Sequence, residues 1–162
     1  MRRIRRTASS ERIRASNDEA AFVAHCRERG LLVTERRCAI FSVLAASREH
    51  PSAEQIHRAV RGRLPRLSLA TVYKNVEALR SIGAVSEVNS LHERGRYEAS
   101  LPGTGAGRRP HHHLVCIRCL KVLDLHDRRL DAFRLTRHAA QGFEVSAVRV
   151  QVEGLCPQCR TA

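Results

Sequence analysis

Apolar residues recur at the spacing of an α-helix in four consecutive segments of the first half of the chain. The segments cover residues 18–30, 34–50, 52–64 and 68–82. Thr34 and Ser68 stand where N-caps belong, and Ser52 forms a capping box with Gln55 three residues later. The second segment is expected to end near Pro51, because the residue before a proline avoids the helical region. The pattern predicts four helices, each with one apolar face.

The fourth predicted helix has a polar outward edge near its start. Its core side consists of Leu69, Val72, Val76 and Leu79. Its outward edge presents Thr71, Tyr73 and Lys74, which can contact phosphates, a thymine methyl group or a guanine edge in the major groove of DNA. The alternative is that these three are solvated residues of an ordinary helix. Two short strands at 84–88 and 96–99 follow, which is typical of the wing of a winged helix-turn-helix.

A stretch rich in glycine, proline and arginine separates this half from the rest of the chain. Beyond it, the pattern predicts strands at 112–116 and 121–125, a helix at 128–141 and a strand at 143–152. The fold class is therefore α+β, with a small α/β domain after a winged helix. The expected division is a disordered basic arm at 1–16, a DNA-binding domain at 17–100, a hinge at 101–110 and a metal-binding dimerisation domain at 111–162.

Charge supports binding of a polyanion but does not identify it. The 29 Lys+Arg residues outnumber the 16 Asp+Glu residues, which gives a formal net charge of +13. Six arginines fall within the first 16 residues, a composition that also resembles an organellar transit peptide. No apolar stretch approaches the roughly 20 residues that cross a bilayer, and no secretory signal is recognisable. We therefore expect a cytoplasmic protein without a membrane partner.

Four of the six cysteines form two C-x-x-C pairs, Cys116 with Cys119 and Cys156 with Cys159. Two such pairs can complete a tetrahedral all-thiolate zinc site. Disulfides are one alternative, but they are rare in a reducing compartment. A thioredoxin-like redox pair is another, but neither C-x-x-C opens a helix of a βαβ unit. Cys26 and Cys38 are expected to be small buried apolar residues.

Three consecutive histidines precede the first cysteine pair. On an extended strand, His111 and His113 point to one side and His112 to the other. Further nitrogen and oxygen ligands are available from His50, Glu98 and Asp124, a set that suits Fe(II), Mn(II) or Zn(II). The alternative is a solvated histidine loop, of the kind that cloning tags also imitate.

The segment from Thr34 to Cys159 resembles the Fur (ferric uptake regulator) family of bacterial repressors. The matching pieces are Val33–Arg37, His50–Glu54, Leu69–Lys74, Arg96–Glu98, His111–Cys119, Lys121–Asp124, Gly142–Phe143 and Gly154–Cys156. The resemblance implies a homodimer that binds a palindromic operator in double-stranded DNA, with no small organic ligand. It implies DNA contacts by Thr71, Tyr73, Lys74 and Arg37.

The resemblance also implies two metal sites. A structural zinc would be held by Cys116, Cys119, Cys156 and Cys159. A regulatory Fe(II), Mn(II) or Zn(II) would be held by His50, Glu98, His111, His113 and Asp124. Asp124 resembles the peroxide-sensing branch, Glu98 points toward the iron sensors, and the absence of a cysteine near position 98 speaks against zinc sensors. The ranking is peroxide sensing with Fe or Mn, then an iron-uptake repressor, then a zinc-uptake repressor.

Some positions depart from the family pattern. Leu120 replaces a usual glycine, Leu32 replaces a basic residue that reaches the minor groove, and the hinge is several residues long. A third site of some members is only partly available here, since His112 and Asp131 match but Val148 stands where a histidine is usual. We predict no complete third site.

Two other classes of function fit some of these residues. A zinc hydrolase would use His111, His113 and Asp124 as ligands and Glu98 as base, but no H-E-x-x-H motif or nucleophile elbow accompanies them. A constitutive architectural protein would bind DNA through the basic arm alone. We expect a regulator and not an enzyme.

Overall fold

The computed structural model describes residues 8–89, 95–101, 111–136, 139–145 and 148–161, with 8–16 as backbone only. The chain divides into two compact units, residues 1–109 and 110–162. The first unit contains α1 (Ala8–Glu28), α2 (Glu35–Ala46), α3 (Ala53–Val60), α4 (Leu69–Ser81), β1 (Val85–Asn89) and β2 (Arg96–Ala99). The second contains β3 (His112–Cys116), β4 (Val122–Leu125), α5 (Arg128–Asp131), β5 (Gln151–Gly154) and α6 (Pro157–Arg160).

The helices of the first unit begin where their caps predict. Thr34 accepts a hydrogen bond from the Arg37 amide, Ser68 accepts one from the Thr71 amide, and Ser52 and Gln55 form the complete capping box. These bonds satisfy amides that the first helical turn leaves without a partner.

One apolar core holds the first unit together. The rings of Phe22 on α1 and Phe41 on α2 stack at 4.3 Å with an interplanar angle of 13°. The residues predicted for the inner side of α4 join this core, with Val72, Val76 and Leu79 buried and Leu69 packed against it. On α3, the helical pattern predicts that Ala59 shares the apolar face, but its side chain is exposed.

The wing is an antiparallel pair of β1 and β2 in which Ser86 lies opposite Glu98. The Tyr97 amide donates to the Pro51 carbonyl at 3.2 Å, so β2 is hydrogen-bonded to the segment that precedes α3. Both strands lie within a residue of their predicted positions.

The second unit is built on a three-stranded sheet in the order β4-β3-β5. Strand β3 pairs antiparallel with β4, where His113 lies opposite Asp124, and parallel with β5, where Cys116 lies opposite Gly154. The parallel pairing brings the C-terminal cysteines to the end of β3.

The start of the first helix and the end of the second differ from the prediction. Helix α1 begins at Ala8 instead of Asp18, so the part of the expected disordered arm from Ala8 to Ser16 is helical, while residues 1–7 lie outside the described residues. Once α1 is anchored by packing, each added residue gains a hydrogen bond at little cost. Helix α2 ends at Ala46, short of Pro51, because the Ser47 hydroxyl accepts from the Glu49 amide and forms a competing turn.

The second unit departs further from the prediction. The helix expected at 128–141 ends at Asp131, and further along the chain the Thr136 hydroxyl accepts a hydrogen bond from the Ala139 amide. Phe133 stays exposed, so no packing extends the helix. The strand expected at 143–152 is found at 151–154 and overlaps the prediction only at 151–152, because β3 offers only five residues for pairing. The predicted hinge at 101–110 lies almost wholly outside the described residues. Of the helices within the described ranges, none has the length and apolar character that crossing a membrane requires.

Candidate metal centres and nucleic-acid interface

The four cysteines predicted to bind zinc converge in the second unit. Cys116 ends β3, Cys156 is the N-cap of α6, and each is followed three residues later by its C-x-x-C partner. The four sulfur atoms lie within 4.8 Å of one another. The Sγ atoms of Cys119 and Cys156 are 3.7 Å apart, and a ZnS₄ tetrahedron with bonds of about 2.3 Å has edges of about 3.8 Å. The arrangement therefore fits a zinc ion.

The ionisation of these sulfurs also fits a cation. Amide donors, first that of Cys119 and then that of Cys156, lower the pKa of Cys116 to about 6. Desolvation, followed by the neighbouring sulfurs, raises the pKa of Cys159 to about 12. Four thiolates this close repel one another, so all of them become charged only when a metal compensates them. Cys26 and Cys38 differ, since burial raises the pKa of both thiols as expected of inert core residues.

The backbone around the cysteines is held by residues that the motif alone does not reveal. Arg118 donates to the Cys159 carbonyl at 2.7 Å and thereby joins the two C-x-x-C turns. Leu120 has φ +59°, a left-handed conformation that explains why glycine is usual at this position. The Leu120 amide donates to the Cys116 carbonyl and closes the first turn.

A second group of possible ligands, the His111 cluster, consists of His111, His113 and Asp124 at the other end of β3. The Nε2 atom of His111 lies 3.6 Å from Oδ1 of Asp124, and the rings of His111 and His113 are 4.9 Å apart at 79°. Both histidines are buried. The structure thus places both imidazoles and the carboxylate close together, a mixed donor set that fits Fe(II), Mn(II) or Zn(II).

His112 is used differently, as the strand alternation predicts. Its Nδ1 atom accepts from the Val150 amide at 3.0 Å and its Nε2 atom lies 3.3 Å from Oδ1 of Asp131. His112 is buried, so it ties β3 to the segment entering β5 and to α5.

A third group, the His50 pair, lies in the first unit. The Nδ1 atom of His50 is 3.7 Å from Oε2 of Glu98, and both side chains are almost completely buried, at 1% and 5% exposed. Ser86 donates its hydroxyl proton to Oε1 of Glu98 at 2.8 Å, which orients the carboxylate. His50 has φ +45°, a strained conformation for a residue with a Cβ. An imidazole and a carboxylate are thus held together at a buried position.

The predicted DNA-contacting residues lie on α4 and at the start of α2. Lys74 is exposed and Tyr73 is 40% exposed, whereas Thr71 is half-buried and its hydroxyl is 2.8 Å from that of Ser68. Arg37 is half-buried and donates to the Leu32 carbonyl.

Sequence reasoning missed the partners of the candidate functional residues. The hydroxyl group of Tyr73 donates to Oε1 of Glu54 at 2.9 Å, and Arg96 donates to Oε1 of Gln55 at 2.7 Å. Glu54 was noted only as part of a matching motif, and a motif carries no information on which side chain it contacts across the fold.

Comparison with known proteins shows one consistent family. A family model described as the ferric uptake regulator family matches residues 28–153. The peroxide operon regulator of Bacillus subtilis (strain 168) is 32% identical over 133 residues, which cover 82% of this chain and 87% of that protein.

Solved structures show the same fold. The Helicobacter pylori ferric uptake regulator Fur matches with a TM-score of 0.70 at 19% identity and covers 90% of this chain and 93% of that one. The Campylobacter jejuni peroxide stress regulator matches with a TM-score of 0.61 at 28% identity and covers 76% of this chain and 88% of that one. The predicted α+β fold with a winged helix is confirmed.

Proposed function

The chain belongs to the ferric uptake regulator family, and we propose that it is a repressor that senses peroxide through Fe(II) or Mn(II). At the level of the family, the chain is a metal-dependent transcriptional regulator and not an enzyme.

The observation that carries the proposal is the placement of buried imidazole next to carboxylate in each unit. The first unit supplies the His50 pair and the second supplies the His111 cluster. Buried histidine and carboxylate side chains cost free energy unless they are paired or bind a cation. We propose that both groups bind one regulatory metal together, which would make its binding depend on how the two units are arranged.

The choice of signal depends on the donor set and on the relatives. Nitrogen and oxygen donors without a thiolate are compatible with Fe(II), Mn(II) and Zn(II) alike. Asp124 and the 32% identity to a peroxide operon regulator favour peroxide sensing. An Fe(II) held by these residues would supply the electron that reduces peroxide to an oxidant, which would modify the neighbouring histidines. Glu98 favours the alternative, an iron-uptake repressor.

DNA binding would use the outward edge of α4. Tyr73 and Lys74 are exposed on this helix, and the positive net charge of the chain attracts the phosphates of DNA. A homodimer would present two such helices to successive half-sites of a palindrome. Such a regulator would act where the chromosome lies, in the cytoplasm.

The second unit carries an apolar surface that suits a second copy of the chain. Leu114, Leu123 and Val152 lie side by side on adjacent strands of the sheet and are each about 40% exposed, at 40%, 39% and 40%. Phe143 is 81% exposed. Apolar surfaces of this kind mark interaction sites, and burying this one in a homodimer would fix the spacing of the two DNA-binding units.

The decisive experiment measures binding to a palindromic promoter fragment by fluorescence anisotropy with Fe(II), Mn(II), Zn(II) or chelator. We expect tight binding with Fe(II) or Mn(II), weak binding with chelator, and loss of binding when peroxide is added to the Fe(II) form but not to the Mn(II) form. Retention of binding by the peroxide-treated Fe(II) form would support the iron-uptake alternative. Equal affinity in all conditions would refute metal sensing.

A further inference from the structure

A chain of hydrogen bonds within the first unit joins the DNA-contacting edge of α4 to Ser52, two residues after His50. The phenol of Tyr73 donates to Oε1 of Glu54 at 2.9 Å. The other oxygen of the same carboxylate, Oε2, accepts from the Ser52 hydroxyl at 2.6 Å. Ser52 is two residues from His50, so a short stretch of backbone and the Glu54 carboxylate lie between the candidate metal ligand and the candidate DNA contact.

A second set of bonds fixes the same segment from the wing. Arg96 donates through one Nη1 atom to Oε1 of Gln55 at 2.7 Å and to the His50 carbonyl at 3.4 Å. The Gln55 oxygen also accepts from the Ser52 amide at 2.8 Å. Arg96 lies two residues before Glu98 on β2. The His50 backbone and the strand that carries Glu98 are therefore both tied to the start of α3 through Arg96.

The segment between His50 and Glu54 is poorly suited to absorbing a movement. His50, Pro51, Ser52 and Ala53 are all buried, and close packing transmits displacements instead of damping them. The proline and the strained φ of +45° at His50 leave the backbone few alternative conformations. A shift of the His50 backbone would thus reach Ser52, and through Glu54 it would reach the Tyr73 ring.

We infer that Glu54 is a positioning residue that couples metal binding at His50 and Glu98 to the orientation of Tyr73 on the DNA-contacting edge. The inference rests on the proposed function. Because its hydroxyl proton is directed to Glu54, Tyr73 would present its ring to the DNA, where it suits an apolar contact with a thymine methyl group. Glu54 itself is half-buried and touches neither the metal nor the DNA in this account.

The test compares operator affinity with Mn(II) and with chelator for wild type and for Tyr73→Phe, Glu54→Ala and Glu54→Gln. The quantity of interest is the metal-induced gain, the ratio of the two dissociation constants, which for coupled sites is typically about 5–150-fold. Loss of a negative charge strengthens DNA binding in both conditions, so it cancels in this ratio. Glu77→Ala is the charge-matched control, since Glu77 is an exposed residue of α4 paired with Arg80.

We expect the gain to fall at least about fivefold in Tyr73→Phe and in Glu54→Ala, with little further loss when the two are combined. Glu54→Gln keeps an oxygen that accepts from Tyr73 and should retain most of the gain. Glu77→Ala should keep the wild-type gain. Should Glu54→Ala fail to fold, Tyr73→Phe removes only the hydroxyl group and tests the same link.

A second measurement separates positioning from a merely structural role. Mn(II) affinity of the DNA-free protein should stay within about twofold of wild type in Glu54→Ala, because Glu54 is not a ligand. Operator DNA should tighten Mn(II) binding in wild type and not in the variant, as reciprocity of coupling requires. Weakened Mn(II) binding without DNA, or an unchanged gain in both variants, would overturn the inference. A wild type without any gain would instead refute the proposed function.

Discussion

Replacing Glu98 by glutamine should remove most of the stabilisation that the regulatory metal gives, with little effect on the metal-free protein. The amide oxygen of glutamine can still accept from the Ser86 hydroxyl, which donates to Glu98 at 2.8 Å. The substitution removes a carboxylate that lies 3.7 Å from His50 and is 5% exposed. A buried charge without a cation does not stabilise a fold, so metal-free stability should stay within about 1 kcal/mol of wild type.

The size of the effect follows from ligand linkage. At a metal concentration 100 times the dissociation constant, a single bound ion stabilises the folded state by about 2.7 kcal/mol. For a chain of 162 residues, this raises the unfolding temperature by about 5–11 °C. Removing a residue that hydrogen-bonds to a metal ligand typically weakens metal binding about 10–100-fold. Removing a ligand itself should weaken metal binding at least as much. A 100-fold weakening leaves about 0.4 kcal/mol, or about 1–2 °C.

The assay is differential scanning calorimetry of the zinc-loaded protein with and without Mn(II). Glu87→Gln is the matched control, because Glu87 lies on the same hairpin and pairs with Arg80 instead of His50. It should show the full Mn(II) shift. A full shift in Glu98→Gln would refute the assignment of Glu98 as a ligand.

Other substitutions test the remaining parts of the structure. Cys116→Ser should lose zinc and the dimer together, whereas His113→Ala should keep both and lose only metal-dependent DNA binding. Metal analysis, size-exclusion chromatography and anisotropy measure these three properties. Unfolding of His113→Ala would contradict the separation of the two sites. Phe41→Ala removes a buried ring stacked on Phe22 and should cost about 3–5 kcal/mol in chemical denaturation of the first unit without changing the zinc content; a loss below about 1 kcal/mol would contradict the packing. Lys74→Ala should weaken binding to all DNA sequences similarly and lower the salt slope by about 1, and an unchanged slope would exclude a phosphate contact.

Features determined by local chemistry could be predicted from the sequence. The capping box at Ser52 and the caps at Thr34 and Ser68 depend on residues three positions apart, and all three are confirmed. The alternation of a strand likewise predicted that His112 faces away from its two neighbours. The spacing of the C-x-x-C pairs predicted the convergence of four sulfurs.

Features determined by distant contacts could not be predicted in this way. The end of α5 at Asp131 depends on the lack of packing for Phe133, and the length of β5 depends on the length of β3. The partners of the candidate site residues, such as Glu54 for Tyr73 and Ser86 for Glu98, are 19 and 12 residues away along the chain. Only the folded arrangement reveals them.

The central claim is that one regulatory metal takes ligands from both units and thereby controls DNA binding. Isothermal titration of the zinc-loaded protein with Mn(II), in wild type, His50→Ala and His113→Ala, tests it most directly. We expect one Mn(II) per wild-type chain, and loss of this binding event in each variant, together with loss of metal-dependent operator binding. Two independent Mn(II) ions per chain, or a variant of one unit that retains wild-type binding, would contradict it.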